Sequence, residues 1–176
     1  PWVESVAVRK VYPSTLEVIV TERAPFAIWQ QGSLLSLIEE NGAVIAPLSR
    51  ARHRSLPLVV GPGAAEQAAS FLSRLAAYPE LAARVRGHVR VSERRWDLRL
   101  DNGVTVRLPE KNEDRALREL ASLDAGQGLL SRDIETVDMR FADRLVVKLS
   151  PDAAEAREAA LKKLLGKNYR PAETRT

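Results

Sequence analysis

The chain has 176 residues, 45% hydrophobic and 28% charged, which suits one buried core or one domain with a small appendage and excludes a disordered chain. Its 27 basic and 23 acidic residues give a net charge of +4, the arginines are scattered, and 3 Trp, 3 Tyr and 3 Phe are few for base stacking, so nucleic acid is not the expected partner. Cysteine is absent, which removes disulfides, thiol catalysis and thiolate metal sites, and no apolar run approaches the ~20 residues of a membrane helix.

The chain opens at Pro1 inside the strand-like PWVESVAVRK, without a signal peptide, as a fragment would; a targeting or anchoring segment is expected upstream. Val6 and Val8 alternate with Ala7 and Arg9, and Leu16, Val18 and Val20 with Glu17 and Ile19. With a turn at Tyr12-Pro13-Ser14, residues 3 to 21 read as a hairpin. A lone hairpin is marginal in water, so its sheet should be completed by elements before Pro1.

Beyond Pro25, short strands are expected at Phe26 to Gln30, Leu34 to Ile38 and Ala43 to Ala46, punctuated by Gly32 and by Glu40-Asn41-Gly42. A basic loop, Ser49 to Arg54, precedes the apolar Leu56 to Val60 and then Gly61-Pro62-Gly63. Ala65, Ala68, Ala69, Leu72, Leu75 and Ala76 have helical spacing, ended near Tyr78-Pro79, with a short helix over Leu81 to Val85. Val89 and Val91 begin a strand. Trp96, Leu98 and Leu100 then alternate with Asp97 and Arg99, Asp101-Asn102-Gly103 turns, and Val104, Val106 and Leu108 return. Asn112 is placed to cap a helix bearing Ala116, Leu117, Leu120 and Leu123, ending around Gly126 and Gly128.

The stretch Ile134 to Leu149 carries a second alternation. Val137, Met139 and Phe141 alternate with polar neighbours, the chain turns at Ala142 and Asp143, and Leu145, Val147 and Leu149 alternate with Arg144, Val146 and Lys148. Pro151 stops the ladder, so the second strand is the last one available and is expected at a sheet edge. A helix from Asp152 to about Leu165 and a loose tail over 166 to 176 complete the chain. Many strands with two main helices make an α+β fold on an antiparallel or mixed sheet.

The search for chemistry finds no catalytic set. His53 lies in a basic loop with Arg50, Arg52 and Arg54, which would repel a metal ion, and His88 falls on or beside a strand. Gly61-Pro62-Gly63 could begin a phosphate cradle, but Glu66 stands where a third glycine belongs, so a plain connector is favoured. The serines lack a nucleophile-elbow context, and Glu39 with Glu40 and Glu110 with Glu113 sit in turns or at helix starts. No metal, cofactor or catalytic residue is expected. Three arginine-bearing places remain: Arg94-Arg95, Arg140, and Arg144 with Lys148. Charges on an edge strand guard against unwanted pairing, yet Val146 between Arg144 and Lys148 equally suits an acidic, partly apolar partner strand.

Three ordered blocks resemble the FtsQ/DivIB bacterial cell-division proteins. PWVESVAVRKVYPSTLEVIVTERAPFAIW is similar to the junction where the last hairpin of a POTRA domain enters the β domain, with Leu16, Val18, Val20, Glu22, Arg23, Pro25, Ala27 and Trp29 filling its pattern. ERRWDLRLDNGVTVRLPE resembles a β-domain hairpin, and LLSRDIETVDMRFADRLVVKL the family's V-D-L-R strand, with Met139 in place of Leu. The missing Cys, the Arg-rich strands and GLLSRDI look most like the proteobacterial branch.

The resemblance implies a single-pass inner-membrane protein at the division septum, its POTRA and β domains in the periplasm. On that reading 1–24 is the last POTRA hairpin, 25–150 the β domain and 151–176 a C-terminal helix and tail. It implies a non-enzymatic divisome scaffold whose last strand receives a strand of FtsB, together with FtsL. The contacts implied are Phe141, Asp143, Arg144, Leu145, Val146, Val147 and Lys148, with Arg140, Arg94 and Arg95 as basic groups, and a recruitment surface linked to FtsK at Ser5, Val8 and Lys10. Two other readings remain: a POTRA-bearing outer-membrane assembly or secretion component that binds polypeptides, and an enzyme of peptidoglycan metabolism, which would need a nucleophile or metal set.

Overall fold

The computed structural model describes residues 1–49 and 53–166. Arg50 and Arg52 of the basic loop, and the tail from Lys167 onward, lie outside the described residues.

β1 (Val3–Val11) and β2 (Thr15–Glu22) form a two-stranded antiparallel sheet of their own, with Val6 opposite Val20, Val8 opposite Val18 and Lys10 opposite Leu16. Period-two alternation therefore gathers Val6, Val8, Leu16, Val18 and Val20 on one face, and all five are exposed. The hairpin meets the rest of the chain through Trp2, whose carbonyl accepts from the Arg23 N–H at 2.8 Å and whose ring stacks on His53.

Nine further strands make one mixed sheet. They are β3 (Ala27–Gln31), β4 (Leu34–Ile38), β5 (Val44–Pro47), β6 (Leu58–Val60), β7 (Val85–Val91), β8 (Arg95–Leu100), β9 (Thr105–Arg107), β10 (Ile134–Asp138) and β11 (Val146–Leu149). Their spatial order is β11-β10-β9-β8-β7-β6-β3-β4-β5. Turn chemistry accounts for the antiparallel pairs β3–β4, β4–β5, β7–β8 and β8–β9, with Gly32, Gly42 and Gly103 all at positive φ. The parallel pairs β3–β6, β6–β7 and β9–β10 need crossovers. Helices α1 (Ala64–Leu75) and α2 (Pro79–Arg84) supply the one between β6 and β7, and α3 (Glu113–Gln127) the one between β9 and β10.

All three crossover helices pack on one face of the sheet. Phe71 of α1 lies on Trp96 of β8, rings 4.5 Å apart and 16° from parallel, both wholly buried. The Arg90 guanidinium also lies over the Trp96 ring, 5.1 Å from its centroid. Leu98, Leu100, Val106, Leu117, Leu120, Leu130 and Val137 complete this core. The expected α1 stripe shifts by a position: Phe71 carries most of the buried bulk, while Ala76 is exposed beyond the helix end. On the opposite face a smaller cluster, Ile28, Leu37 and Ile45, is covered by Trp2, Leu48, Leu56 and Leu58. That cover reaches only the β3–β5 end. Over β8 to β11 the second face carries polar side chains apart from Val146.

Several expectations need adjusting. β7 starts at Val85, directly where α2 ends, and β6 starts at Leu58, two residues after Leu56. Asn112 does precede α3, but in the left-handed conformation (φ 63°), and its side chain makes no cap; its carbonyl accepts from Arg115 and Ala116 instead. Gly61-Pro62-Gly63 turns β6 into α1. Gly61 accepts from the Trp29 indole N–H at 2.9 Å, and a Cβ there would lie 2.7 Å from the Arg90 carbonyl oxygen. A final helix, α4 (Pro151–Leu165), is capped by the Ser150 hydroxyl and has no buried residue.

Trp96→Ala removes a wholly buried ring that contacts both Phe71 and Arg90. It should cost about 3–5 kcal/mol in urea unfolding, with the transition still cooperative.

Candidate functional site

Among the described residues β11 is the terminal strand of the sheet, hydrogen-bonded to β10 alone. Asp138 lies opposite Val146, Val137 opposite Val147 and Thr136 opposite Lys148. The inner side chains behave as the alternation requires: Val137 is fully buried, and Leu145, Val147 and Leu149 pack on the core. Val146 points the other way and is exposed. The strand covers only four residues, and those from Met139 to Leu145 form a loop where a tight turn at Ala142 and Asp143 is expected from the sequence.

Asp138 shortens the strands. Its Oδ1 accepts from the backbone N–H of Arg140 at 3.1 Å, while the Arg140 guanidinium reaches back with Nε at 2.8 Å and Nη2 at 2.6 Å to the two carboxylate oxygens. A side chain bonded to backbone two residues on offers the chain a turn in place of a ladder. Met139 still donates to the Arg107 carbonyl at 2.9 Å, so the sheet lets go just after it.

Charges cross the open face in a row. Asp97, Arg107, Asp138 and Val146 are successive cross-strand partners on β8, β9, β10 and β11, so their side chains share a face. Arg95 pairs with Asp97 at 3.3 Å, and Arg107 approaches Asp138 at 3.7 Å. The hydrogen bond from Arg140 holds the Asp138 carboxyl below its usual pKa, with burial opposing and the charges of Arg140 and Arg107 adding.

The loop residues form a small surface of their own. The Phe141 ring is half exposed beneath the Arg144 guanidinium, 4.6 Å away, and Arg144 also pairs with Asp143 at 3.2 Å. Lys148 pairs with Glu135 of β10. A cleft of about 390 Å³ opens between this loop and the segment from Pro109 to Glu119.

The structure therefore brings Arg140, Phe141, Asp143, Arg144, Leu145, Val146, Val147 and Lys148 together, with Leu145 and Val147 turned inward so that only their backbones face out. Arg94 and Arg95 have separate partners: Arg94 sits in the β7–β8 turn, 3.8 Å from Glu110, while Arg95 lies on β8 against Asp97. On β1, Ser5 lies on the face opposite to Val8 and Lys10. Sequence reasoning missed Lys111 and Arg115, which line the cleft from about thirty residues upstream. Of the histidines, His88 is buried with Nδ1 2.9 Å from the Leu58 carbonyl, and burial lowers its pKa. Among the described residues no three His, Asp or Glu are grouped to hold a metal, and no helix is long and apolar enough to cross a membrane.

The family model described as cell division protein FtsQ/DivIB, C-terminal, matches residues 27–140, and the FtsQ-type POTRA model matches residues 1–23. The chain belongs to the FtsQ/DivIB family. Cell division protein FtsQ of Rhizobium radiobacter is 52% identical over 92% of this chain and 77% of its own length. Those of Agrobacterium fabrum and Rhizobium meliloti are 52% and 54% identical over 92% and 91% of the chain, which spans about half of each, 51% and 52%. A solved structure, the major extracytoplasmic domain of DivIB from Geobacillus stearothermophilus, aligns with TM-score 0.40 and 17% identity over 62% of this chain and 97% of that one. Membership of a cell-division family disfavours the outer-membrane reading. The C-terminal FtsQ/DivIB match stops at Arg140, the residue that closes onto Asp138.

The Asp138–Arg140 clamp sets a pH dependence. A carboxylate whose folded pKa is depressed contributes stability that is complete above its unfolded pKa, near 4, and lost as pH falls through the folded value. Asp138→Asn should therefore flatten the acid side of the stability profile below about pH 4. Urea unfolding at stepped pH would measure this, and an unchanged acid limb would dismiss the clamp.

Proposed function

We propose that this region is a non-catalytic, periplasmic scaffold of the division machinery and binds FtsB, with FtsL, by adding a strand of FtsB to β11. The observation that carries this reading is β11 itself, a sheet-terminal strand hydrogen-bonded on one side, with Val146 and Lys148 directed outward beside the exposed Phe141 and Arg144. An added strand gains main-chain hydrogen bonds, and the surrounding charges select its register. Aromatic side chains at such a rim are favoured anchors, which singles out Phe141. The Asp138 clamp engages Arg140 within the molecule, so its contribution to a partner is to hold the loop as well as to offer charge.

In the complete protein, one upstream helix would anchor the chain in the inner membrane at the septum. Residues 1–24 would close a POTRA domain, with the exposed apolar face of β1 and β2 covered by its remaining elements. Ser5, Val8 and Lys10 would belong to a recruitment surface toward FtsK, 25–150 would be the β domain, and 151–176 its tail. The whole would help bring and regulate septal wall synthesis.

Val146→Asp places a charge on the added strand's path, and Val147→Pro removes a ladder donor. Each should abolish binding of an FtsB periplasmic segment in calorimetry while urea unfolding of the upstream sheet is largely preserved. Unchanged affinity in both variants would rule out strand addition at β11.

A further inference from the structure

Seven residues of loop lead into β11, and they form one wall of the 390 Å³ cleft; the other wall is the start of α3 with the segment before it. The α3 wall is fixed in place. Glu113, buried in the first turn, is bound by Arg74 of α1 at 2.8 Å, which ties the helix start to the core. Most charges that line the cleft or border it are already matched: Arg140 by Asp138, Arg144 by Asp143, and Glu110 by Arg94. Lys111 and Arg115 are exposed and make no ion pair with any described residue. Glu119, one turn further along α3, is likewise unpaired, so the unmatched groups leave an excess of positive charge. A cation in the first turn of a helix opposes the helix dipole, so the dipole does not favour Arg115 there. Apolar surface lies opposite, from Phe141 and Leu145.

We infer that Lys111 and Arg115 receive an acidic side chain of the bound partner, from the segment that runs off the strand added at β11 into this cleft. The inference rests on strand addition at β11. It adds to Arg140, whose guanidinium is engaged by Asp138, two cations on a separate element. Continuity selects the occupant: the cleft begins where β11 begins, so a strand paired along Val146 to Leu149 and prolonged past Val146 arrives over the loop. The chemistry is that of a peptide bearing a carboxylate beside an apolar residue, the carboxylate toward α3 and the apolar group toward Phe141.

The test uses the full periplasmic chain and the FtsB periplasmic segment, titrated at low and high salt. Lys111→Glu combined with Arg115→Glu should weaken binding about tenfold or more at low salt and reduce its salt dependence, because exposed charge pairs are screened by ions. The cleft assignment is overturned if the double variant keeps both affinity and salt dependence while Val146→Asp still abolishes binding. Loss of binding in the double variant with Val146→Asp inert would overturn the strand-addition reading, and with it the continuity that directs the partner into the cleft. Both substitutions are on exposed side chains, and a urea unfolding midpoint equal to that of the parent chain confirms that a lost affinity reports recognition.

Discussion

The stack of Phe71 on Trp96 is the contact on which the large sheet depends. Most strands are joined by short local turns, but β7 and β10 reach their places through helical crossovers, and the parallel pairs β6–β7 and β9–β10 hold only if those helices stay on the sheet. Phe71 fixes α1 to the middle strands, and Arg74, on the same helix, reaches Glu113 at the start of α3. Arg84 at the end of α2 binds Asp124, the Leu130 carbonyl and Ser131 near the other end of α3. One aromatic pair and two arginines thus tie three helices to a single face.

That one-sided packing leaves the second face free over β8 to β11, where alternating charges replace a core. The contrast explains how the edge can be both well placed and accessible. Val147 and Leu149 hold β11 from beneath, while nothing apolar is required above. The length of the edge is then set by a polar contact: Asp138 captures Arg140, the strand ends, and seven residues are released as a loop that presents Phe141 and Arg144. A longer hairpin would have offered more backbone and less side-chain surface.

How legible this was in the sequence follows the range of the forces involved. Asn102-Gly103 between Leu100 and Val104, and the alternation of Trp96, Leu98 and Leu100, specify their hairpin locally, and the terminal position of β11 follows from Pro151. Phe71 falls between Ala68 and Leu72 of the stripe expected from helical spacing, and its depth is set by Trp96, 25 residues further on. The parallel partners of β6 and β10 are set by tertiary packing and leave no local mark. Asp138 and Arg140 look like ordinary outward strand residues, and only geometry reveals that they bond each other at the cost of the ladder. Lys111 and Arg115 meet the last hairpin because α3 crosses over between β9 and β10, a consequence of topology alone.

The two ends of the sheet are not equivalent. β5, the strand opposite β11, also has four residues and closes on Pro47, which brings a ring and no N–H to its ladder. A molecule with two receptive edges could pass strand pairing from copy to copy and grow head to tail without limit. With one end blunted, growth stops after a single addition. On the strand-addition reading proposed above, the sheet would be a socket with one opening, on which a crowded assembly at high local concentration could be built without seeding an open-ended fibre.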